Sequence, residues 1–422
     1  MSEFEMLDIM LKIKKSKSSL TGTLSLPFSK SISNRLLILN AISNGKVKFR
    51  NLSEANDTQL LKNLINSKKR ILNAGNAGTT FRFLTAYLAF NGERKILTGS
   101  TRMCQRPVGI LVDALRKLGA KINYLGKKGY PPIEFLPSIP SFNYPPIEMS
   151  SNISSQFISA LMMIAPALPD GLTLILKGKV SSYSYIKMTI ALLKRSGIKV
   201  EQKKNHFHIP NQKFKSVTIN VERDWSSAGY WFSIAAISGK SKFFINGLKH
   251  KSLQGDSVAT LLFKQLGVDS IFTKKGVWII SGKRKNFKIP LEISYDFTNC
   301  PDLAQTVIAC CAALGVNAKF TGLETLRIKE TDRIGAMRNE LKKFNCFLIE
   351  KHPTIKNRYW YLNSSRRIFP QKCKIETYKD HRMTMSFAPF SLKVNKFKIV
   401  NPEVVNKSYP GFWKDIKLVV HS

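Results

Sequence analysis

The stretch Leu326-Arg-Ile-Lys-Glu-Thr-Asp-Arg333 shows the local pattern from which the fold of this chain can be predicted. It places two cations, Lys329 and Arg333, and two acids, Glu330 and Asp332, at the start of a predicted helix. Thr331 is the expected N-cap of that helix. The residues that follow form an apolar stripe: Ile334, Met337 and Leu341. Because a helix N-terminus favours anions, and lysine and arginine strengthen that preference, the stretch predicts a phosphate or carboxylate site beside a proton-exchanging glutamate.

Similar polar helix starts recur along the chain, each in front of a helix that is apolar on nearly every side. Helices of that kind are buried in folded proteins. Four of the six reach a glycine that suits a left-handed helix end, at positions 45, 92, 239 and 315. The six predicted buried helices span 29–44, 76–91, 154–166, 224–238, 300–314 and 380–392.

A second, amphipathic helix pattern alternates with the buried one and ends each time on a basic turn. The four clear copies end at Gly119, Gly197, Gly267 and Asn345, and a strand-like segment follows each. A weaker copy lies at 57–66, and a degenerate one follows residue 410. Asparagine is the residue that best replaces glycine in a left-handed cap. The clear copies recur every 70 to 78 residues, which fits a repeating unit of strands and two helices.

Six such units predict an α/β fold of two similar domains with three units each. The simplest division lies near 220–225, and the segment before residue 29 can pair with either half. If the units of one domain are related by rotation, their buried helices point the same way. The helix N-termini, each with roughly half a positive charge, then gather on one face of that domain. Two such faces would concentrate ligands that carry several negative charges.

The composition favours an anion-binding protein with more than one core. The chain has 422 residues, which is too long for one ordinary core, and 43% of them are apolar. Its formal net charge is +40, from 67 Lys+Arg against 27 Asp+Glu. Since the cations are spread along the whole chain, we interpret most of them as solvated surface and only a few as functional.

The cysteine pattern and the N-terminus predict a cytoplasmic chain without a metal centre. The six cysteines are scattered without a C-x-x-C motif, which favours reduced thiols over a zinc site or disulfides. His206 and His208 share a strand face without a nearby acid cluster, so we interpret them as surface residues. The acidic N-terminus suits neither a signal peptide nor a transit peptide. The longest uncharged apolar run, 157–168, is too short to span a bilayer.

Taken together, the motifs resemble those of one family, the 5-enolpyruvylshikimate-3-phosphate synthases among the enolpyruvyl transferases. The matching blocks run in order from residue 29 to residue 410, and this order makes the match specific. The blocks are Ser29-Lys-Ser-Ile-Ser-Asn-Arg35, Asn76-Ala-Gly-Thr-Thr-Phe-Arg82, Arg102-Met-Cys-Gln-Arg-Pro107, Ser154-Ser-Gln156, Asp224-Trp-Ser-Ser-Ala228, Pro301-Asp302, Arg327-Ile-Lys-Glu-Thr-Asp-Arg333, Asp380-His-Arg-Met383 and Asn406-Lys-Ser-Tyr-Pro410.

The resemblance implies a fold and a reaction. The fold is two similar domains, each of three βαβαββ units in an inside-out α/β barrel, with the active site in the interdomain cleft. The N-terminal segment joins the C-terminal half, so the expected domains are 1–28 with 225–422, and 29–224. The reaction transfers the enolpyruvyl group of phosphoenolpyruvate to the 5-hydroxyl of shikimate 3-phosphate and releases phosphate. The resemblance implies no metal or organic cofactor, a cytoplasmic monomer, and no specific binding of nucleic acid or membrane.

The residues that the resemblance implies for the site are mostly cations, hydroxyls and residues at helix starts, because both substrates are anions. Those for shikimate 3-phosphate are Lys30, Ser31, Arg35, Ser154, Ser155, Gln156, Ser182, Tyr185, Asp302, Thr325 and Lys329. Those for phosphoenolpyruvate are Lys30, Gly78, Thr79, Arg106, Gln156, Arg333, Arg382 and Lys407. The acid/base groups are Asp302, Glu330, Lys30 and Lys329. The sequence leaves open which of them moves which proton, whether Ser154 only caps a helix, and whether Glu330 only bridges a neighbouring cation.

Four features depart from the family pattern. The segment 57–76 is short, so we expect the first unit to lack a strand or hairpin. Ser184 and Phe83 stand where proline is common, and Thr325 stands where asparagine is common. We expect these changes to alter substrate affinity and the response to phosphonate inhibitors, because none of them removes a catalytic group.

Two other functions fit parts of the sequence. UDP-N-acetylglucosamine enolpyruvyl transferase has the same fold and uses a loop cysteine, for which Cys104 is the candidate here. Cys104 lies only two residues before Arg106, closer than that enzyme's cysteine lies to its arginine. A nucleic-acid-binding protein would explain the net charge, but it predicts a basic stripe interleaved with exposed aromatic residues, which the sequence does not show. The motifs therefore favour the shikimate enzyme over both.

Overall fold

The chain packs as two units in the computed structural model, which describes residues 19–150, 154–178, 180–282, 287–352 and 358–420. The first, here called the split unit, combines the described residues of Met1–Pro27 with those of Glu222–Ser422. The second, the inserted unit, is Phe28–Val221. We propose that these units correspond to the expected domains, 1–28 with 225–422, and 29–224.

Short strands and helices alternate along the described residues. The strands are β1 (Leu20–Leu24), β2 (Val47–Arg50), β3 (Ile71–Asn73), β4 (Lys95–Thr98), β5 (Lys121–Tyr124), β6 (Ile133–Leu136), β7 (Ile147–Ser150), β8 (Leu172–Lys177), β9 (Glu201–Lys203), β10 (His206–Ile209), β11 (Val217–Asn220), β12 (Ser241–Asn246), β13 (Val268–Phe272), β14 (Gly276–Ser281), β15 (Glu292–Asp296), β16 (Asn317–Thr321), β17 (Phe347–Lys351), β18 (Tyr359–Asn363), β19 (Lys372–Ile375) and β20 (Lys396–Ile399). The helices are α1 (Lys30–Ile42), α2 (Asn56–Ile65), α3 (Gly78–Leu88), α4 (Thr101–Cys104), α5 (Gly109–Lys117), α6 (Ser155–Ile164), α7 (Tyr183–Arg195), α8 (Trp225–Ser238), α9 (Ala259–Gln265), α10 (Ala304–Leu314), α11 (Arg333–Lys342), α12 (His381–Phe387) and α13 (Phe412–Val420).

The four-stranded sheets all have the same topology. In each, the first two strands pair in parallel, and the last two strands form an antiparallel hairpin that attaches to the second strand. The inserted unit contains the sheets β3-β4-β6-β5 and β7-β8-β10-β9, and the split unit contains β1-β12-β14-β13 and β15-β16-β18-β17. With the helices that connect the strands, the element order is βαβαββ, which confirms the predicted repeat and the α/β fold class.

A third sheet in each unit has only two strands among the described residues. β2 pairs in parallel with β11, and β19 with β20. The chain passes from α2 to β3 without a hairpin, as the short segment 57–76 predicts. Two of the pairings join distant parts of the sequence: β11 lies at the end of the inserted unit, whereas β2 lies near its start. Likewise β1 pairs with β12 although the whole inserted unit separates them along the chain.

The helices lie where the sequence predicts them. The buried set is α1, α3, α6, α8, α10 and α12, and α8 buries 12 of its 14 residues. The predicted left-handed ends are also confirmed, since Gly239 and Gly315 have φ angles of +75° and +76°. Asn345 takes the same conformation, with a φ of +54°, where the other amphipathic helices use glycine. Because α3, α6, α10 and α12 each follow the first strand of their sheet, their polar starts lie at the carboxyl ends of parallel strands.

The expected N-cap of α11 is wrong. Asp332, not Thr331, caps this helix, and its Oδ1 accepts hydrogen bonds from the N–H groups of Ile334 and Gly335, both at 3.1 Å. One carboxylate oxygen thus satisfies two of the N–H groups that a helix leaves unpaired at its start. The helix begins at Arg333, so Lys329 and Glu330 precede it.

Candidate active site

Polar side chains from three helix starts meet in the inserted unit. They form what we call the inserted-unit cluster, which contains Lys30 of α1, Gly78 and Arg82 of α3, Gln156 of α6, and Arg106, which follows α4. The hydrogen bonds described below connect α1, α3 and α6, with α2 between α1 and α3, and Arg106 lies beside Gly78. The predicted residues of this unit therefore lie on elements that pack side by side, as the repeat pattern implies.

Lys30 is the first residue of α1, and its ammonium group pairs with a carboxylate on α2. Its Nζ lies 3.0 Å from Oδ2 of Asp57. The hydroxyl of Thr80 on α3 donates to the Asp57 carbonyl oxygen at 2.9 Å, which ties the starts of α2 and α3 together. The lysine side chain is 16% exposed. Its position is therefore defined by the protein while the ammonium group remains accessible to a ligand.

Arg35 is buried in the centre of the inserted unit and is held by three helices. Its Nε donates to the Thr189 hydroxyl at 2.7 Å, and its Nη2 donates to the Ser159 hydroxyl at 3.1 Å. Arg35 also donates hydrogen bonds to two backbone oxygens, those of Ser31 at 2.8 Å and Tyr185 at 3.3 Å. Burial lowers the pKa of Arg35 to about 10. This arginine connects Ser31 and Tyr185, two residues implied for shikimate 3-phosphate, and so fixes their relative positions.

Phe83, one of the departures from the family pattern, lies against Arg35. The guanidinium carbon is 5.3 Å from the centre of the Phe83 ring and 5.9 Å from that of Tyr185. Contacts of this kind stabilise a cation that has lost its water. The aromatic ring at position 83 therefore contributes to the surroundings of Arg35. The expected effect of Phe83 on substrate affinity stays a prediction.

Gly78, at the start of α3, lies between two guanidinium groups. A Cβ atom added there would come within 2.5 Å of Arg82 Nη1 and within 2.6 Å of Arg106 Nη2. Both arginines are buried, and both approach the backbone at the N-terminal end of the helix. Two cations and a helix start thus surround a residue without a side chain, which suits a site for a small anion.

Gln156 connects the starts of α6 and α3. Its Nε2 donates to the Thr79 hydroxyl at 2.9 Å, and its Oε1 accepts from Arg82 Nη1 at 3.1 Å. Its backbone N–H donates to Oγ of Ser154, the N-cap of α6. The capping role that the sequence left open for Ser154 is therefore present in the structure. It leaves the hydroxyl hydrogen of Ser154 available for another acceptor.

The other residues implied for shikimate 3-phosphate in this unit lie at the starts of α6 and α7. Ser155 is buried as the first residue of α6. Ser182 precedes α7 with a left-handed backbone, at φ +56°, a conformation that costs energy for a residue with a side chain. Ser184 and Tyr185 follow within the first turn of α7. The strained backbone of Ser182 therefore indicates that the turn before α7 has to keep this conformation.

The split unit contains a second group of charged residues, which we call the split-unit cluster. It includes the carboxylates of Asp302, Glu330 and Asp380 together with Arg333 and Arg382. These residues come from the starts of α10, α11 and α12 and from the turn before α11. Unlike the inserted-unit cluster, it combines cations and acids in similar numbers among its named members.

The Arg382 side chain contacts both the carboxylate and the backbone carbonyl oxygen of Asp302. Nη2 of Arg382 lies 2.9 Å from Asp302 Oδ2, and Nη1 donates to the Asp302 carbonyl oxygen at 2.8 Å. Nη1 also lies 3.4 Å from the hydroxyl of Tyr230, a buried residue of α8. Burial raises the pKa of the Tyr230 hydroxyl, which therefore stays protonated. Residues from all three repeats of the split unit thus contribute to the position of one arginine.

Arg333, the first residue of α11, is almost completely buried among three carboxylates. Nε lies 2.7 Å from Asp380 Oδ2, Nη2 lies 2.8 Å from Glu330 Oε2, and Nη1 lies 3.6 Å from Asp302 Oδ1. Burial disfavours its charge, but Asp380 and Glu330 more than offset this effect, so the pKa of Arg333 is raised. The bridge between Glu330 and Arg333 that the sequence left open is present.

Three further predicted residues of the split unit lie on turns. Thr325 lies in the 3-10 turn Glu324–Ile328, and Lys329 is the extended residue that follows this turn. Lys407 is the last residue of the 3-10 turn Pro402–Lys407. The Thr325 hydroxyl is buried and makes no hydrogen bond within the described part of the chain. An oxygen of a ligand could accept a hydrogen bond from this hydroxyl. The asparagine that is common at this position in the family would likewise need a hydrogen-bond partner.

Sequence reasoning missed several polar residues of the two clusters. Asp57, Arg82 and Asp380 were present in the quoted motifs or helix starts, but nothing in the local sequence showed which cation or amide each would contact. Asp256 is the buried residue of the turn Gly255–Val258, and it accepts a hydrogen bond from the Ser226 hydroxyl. Burial and the nearby charge of Asp302 raise the pKa of Asp256 to about 7.

The structure also shows the state of the cysteines, the grouping of residues that could bind a metal ion, and the length of the apolar helices. All six cysteines have free thiols, and Cys104, at the end of α4, has its Sγ 3.8 Å from the Gly99 carbonyl oxygen. Among the described residues, no group of three or more His, Cys, Asp or Glu is placed to hold a metal ion. Within those residues, no helix combines the length and the apolar character that crossing a membrane requires.

Comparisons with known proteins point to one family. The family model described as EPSP synthase (3-phosphoshikimate 1-carboxyvinyltransferase) matches residues 14–67 and 60–416. A 3-phosphoshikimate 1-carboxyvinyltransferase from Bacteroides fragilis is 40% identical over 402 residues, which cover 95% of each chain. The enzyme of the same name from Buchnera aphidicola subsp. Cinara cedri is 37% identical over 438 residues, again with 95% of each chain covered.

Solved structures agree on the fold. An EPSP synthase from Acinetobacter baumannii superposes with a TM-score of 0.67 at 20% identity, covering 94% of this chain and 95% of that one. An enolpyruvyl transferase from Streptomyces tendae gives the same TM-score at 10% identity, covering 95% of each chain. At such identities the likeness concerns the fold, which is the two-domain inside-out α/β fold predicted from the sequence.

Proposed function

Since the chain belongs to the EPSP synthase family, we propose that it is a 3-phosphoshikimate 1-carboxyvinyltransferase of the shikimate pathway. It transfers the enolpyruvyl group of phosphoenolpyruvate to the 5-hydroxyl of shikimate 3-phosphate and releases phosphate. Its substrates are small molecules. The alternative acceptor, a UDP-linked amino sugar, is not favoured, because the family model and the relatives above carry the name of the shikimate enzyme over nearly the whole chain.

The inserted-unit cluster supports the binding of both anionic substrates. Lys30 and Arg106 supply cations, and the starts of α3 and α6 supply backbone N–H groups. We assign Ser31, Arg35, Ser154, Ser155, Gln156, Ser182 and Tyr185, with Thr325 and Lys329 of the split unit, to shikimate 3-phosphate. We assign Gly78, Thr79, Arg106, Gln156, Arg333, Arg382 and Lys407 to phosphoenolpyruvate, with Lys30 contacting both.

The chemistry proceeds by addition and elimination. The 5-hydroxyl oxygen attacks C2 of phosphoenolpyruvate and loses its proton, while C3 gains a proton and becomes a methyl group. The resulting tetrahedral carbon carries the carboxylate, the phosphate and the new ether. The methyl group then loses a proton as the C2–O bond to phosphate breaks. Asp302, Glu330, Lys30 and Lys329 act as a coupled set in these proton transfers, and Asp302 contacts the 4- and 5-hydroxyls.

The ion pairs of the split-unit cluster suggest how substrate binding prepares the acids. In the structure, Arg382 contacts Asp302 and Arg333 contacts Glu330. The phosphate and carboxylate of a bound substrate compete for the same guanidinium N–H groups, since arginine can form paired hydrogen bonds with either. A carboxylate that loses its arginine becomes more basic. Phosphoenolpyruvate binding would therefore turn Asp302 and Glu330 from partners of arginine into proton acceptors.

One observation carries the proposal: a relative named for this activity matches 95% of the chain, and the residues that the family model matches include the charged helix starts of both clusters. The test is to incubate the purified chain with both substrates and to follow phosphate release together with formation of the enolpyruvyl ether by ³¹P and ¹H NMR. Parallel reactions replace shikimate 3-phosphate with UDP-N-acetylglucosamine. Turnover only with shikimate 3-phosphate is expected, and turnover only with the nucleotide sugar would overturn the assignment.

We also propose that the enzyme is a cytoplasmic monomer without a metal or organic cofactor. The free cysteines and the scattered surface cations favour a reducing compartment and a well-solvated chain. Light scattering coupled to size-exclusion chromatography would give a mass near the 47.7 kDa of one chain if the proposal is right. Activity that survives prolonged dialysis against EDTA would support the absence of a required metal.

A further inference from the structure

We propose that Arg82 is a positioning residue that fixes the orientation of the Gln156 side-chain amide and thereby makes the Thr79 hydroxyl a hydrogen-bond donor to phosphoenolpyruvate. The inference rests on the proposed function for the identity of the ligand. It adds a residue that the sequence motifs did not assign to substrate binding, and it gives Thr79 and Gln156 distinct tasks.

The first step concerns which atom of the Gln156 amide faces Arg82. The guanidinium group carries five N–H donors and no acceptor, so only the amide oxygen can form a hydrogen bond with it. In the structure Arg82 Nη1 is 3.1 Å from Oε1 of Gln156 and 3.1 Å from the Gly78 carbonyl oxygen. The reversed amide would place the donors of an NH₂ group against the donors of a buried cation, so neither could accept from the other.

The second step concerns the rigidity of Arg82. Its side chain is buried, and its guanidinium carbon lies 5.4 Å from the centre of the Phe157 ring, next to Gln156 in α6. The hydrogen bond to Gly78 ties the same group to the first residue of its own helix. Arg82 is therefore held by both helices whose starts it connects. A cation held in this way can impose one orientation on the amide it contacts.

The third step concerns the hydrogen bond from the Gln156 amide to Thr79. With Oε1 facing Arg82, Nε2 of Gln156 must face the other side, where it donates to the Thr79 hydroxyl at 2.9 Å. A hydroxyl that accepts a hydrogen bond still has its own hydrogen to donate. If the amide were reversed, Thr79 would donate to Gln156 and offer a lone pair to its surroundings. Only the observed orientation makes Thr79 attractive to an anion.

The position of Thr79 connects this hydroxyl to the predicted phosphoenolpyruvate site. Thr79 is the second residue of α3, directly after Gly78, around which the guanidinium groups of Arg82 and Arg106 gather. Arg106 is the arginine that the family motif assigns to phosphoenolpyruvate. The two arginines thus divide their tasks: Arg106 faces the ligand, and Arg82 uses Nη1 for protein oxygens that organise Gln156 and Thr79.

The test is a double-mutant cycle of Arg82→Met and Thr79→Val, with the KM for phosphoenolpyruvate as the readout. Each single variant is expected to raise that KM about tenfold, the cost of one hydrogen bond to an anion, with a smaller change in the KM for shikimate 3-phosphate. The double variant is expected to resemble Thr79→Val alone, because Arg82 acts through a hydroxyl that is already absent. Multiplying effects would instead show a separate role for Arg82 and would overturn the proposal.

Two controls separate this inference from a general loss of structure and from a failure of the proposed function. Arg50→Met removes an exposed cation of the same unit and should leave both KM values unchanged. The Gln156 amide can also be followed without substrates, in ¹⁵N-glutamine-labelled protein with the resonance assigned from Gln156→Ala. Arg82→Met should shift and broaden that NH₂ signal, whereas Thr79→Val should leave the amide oriented. An unchanged signal in Arg82→Met would sink the inference even if the enzyme proved to use other substrates.

Discussion

The two clusters are built on the same repeat but differ in charge. In the inserted unit the helix starts bring together Lys30, Arg82 and Arg106, and Asp57 is the acid that the structure places beside Lys30. In the split unit each arginine already lies against carboxylates. The backbone arrangement supplies similar electropositive helix ends in both units. The side chains therefore decide that one cluster is suited to receive anions and the other to store groups that can exchange protons.

This difference in charge has an energetic consequence. A cation whose side chain and partner both keep some exposure, as Lys30 and Asp57 do, adds less to the stability of the folded protein, so its removal should affect catalysis more than stability. A buried cation that is already paired with a buried carboxylate contributes to stability, because either partner left alone is an unpaired buried charge. Substitutions in the two clusters should therefore separate loss of activity from loss of stability.

The largest expected effect is on the inserted-unit cluster. Lys30→Met should reduce turnover by about three orders of magnitude, because it removes both a substrate contact and a proton-handling group. The melting temperature should fall less than in a variant of the split-unit cluster, since the Lys30 and Asp57 side chains are 16% and 9% exposed, whereas those of Arg333 and Asp380 are 2% and 0% exposed. Steady-state kinetics and thermal melting of the same preparation measure the two quantities. Lys46→Met, at an exposed position of the same unit, serves as the control.

Near-normal turnover in Lys30→Met would contradict the catalytic role of this residue. A large fall in melting temperature with it would contradict the distinction between the clusters, because Lys30 would then be a structural cation like Arg333. Arg106→Ala should behave in the same way as Lys30→Met for turnover.

The split-unit cluster should respond to Asp380→Asn mainly with a loss of stability. Asparagine can still cap α12 but leaves the buried Arg333 without its nearest carboxylate, which lies 2.7 Å away. Removal of one partner from such a pair costs about 3–5 kcal/mol in the free energy of unfolding. Urea denaturation of the variant and of Asp332→Asn, a cap at the exposed start of α11, gives the comparison. Equal stabilities of these two variants would mean that the Arg333 pairs are not a structural feature of the split unit.

A smaller effect is expected where the anion would lie against the backbone. Gly78→Ala adds a Cβ atom that would come within 2.5–2.7 Å of guanidinium nitrogens of Arg82 and Arg106. Since both arginines would have to shift, the KM for phosphoenolpyruvate should rise about tenfold or more. Gly126→Ala is the matched control, because a Cβ atom there meets nothing within 4 Å. An unchanged KM in Gly78→Ala would show that the ligand does not approach this helix start.

The sequence predicted features that depend on neighbouring residues. The buried helices, the left-handed ends at Gly239 and Asn345, and the strands after each amphipathic helix all follow from local periodicity and caps. The motifs also marked the turns that carry Asp302 and Arg382. These predictions succeeded because a repeat of helix starts leaves the same local signal six times.

The partners of the charged residues could not be predicted, because they lie far away in the sequence. Lys30 and Asp57 are 27 residues apart, Arg333 and Asp380 are 47 apart, and Arg382 and Asp302 are 80 apart. The local sequence of a helix start does not show which distant acid will pair with the cation there. The error at the N-cap has a different cause: Thr331 and Asp332 can both cap a helix, and the local pattern does not show that Asp332 is the residue that does so.

The last expected effect is a pH dependence of stability that comes from one buried carboxyl group of the split unit. Burial first, and then the charge of Asp302, raise the pKa of Asp256 to about 7, whereas an aspartate in the unfolded chain titrates near its ordinary value of 3.8. Between these two values the folded protein keeps a proton that the unfolded chain has released. Raising the pH through this window therefore lowers the free energy of unfolding, by up to about 1.4 kcal/mol per pH unit from this group.

Asp256→Asn removes that titration while it preserves the size of the side chain and an oxygen that can accept from Ser226. The stability of the variant relative to the unchanged protein should therefore increase from pH 5 to pH 7, as measured by urea unfolding at each pH. Asp113→Asn, on the exposed side of α5, should show no such trend. A stability difference that stays constant across the window would mean that Asp256 is ionised throughout, and that the split-unit cluster holds one more fixed negative charge than proposed.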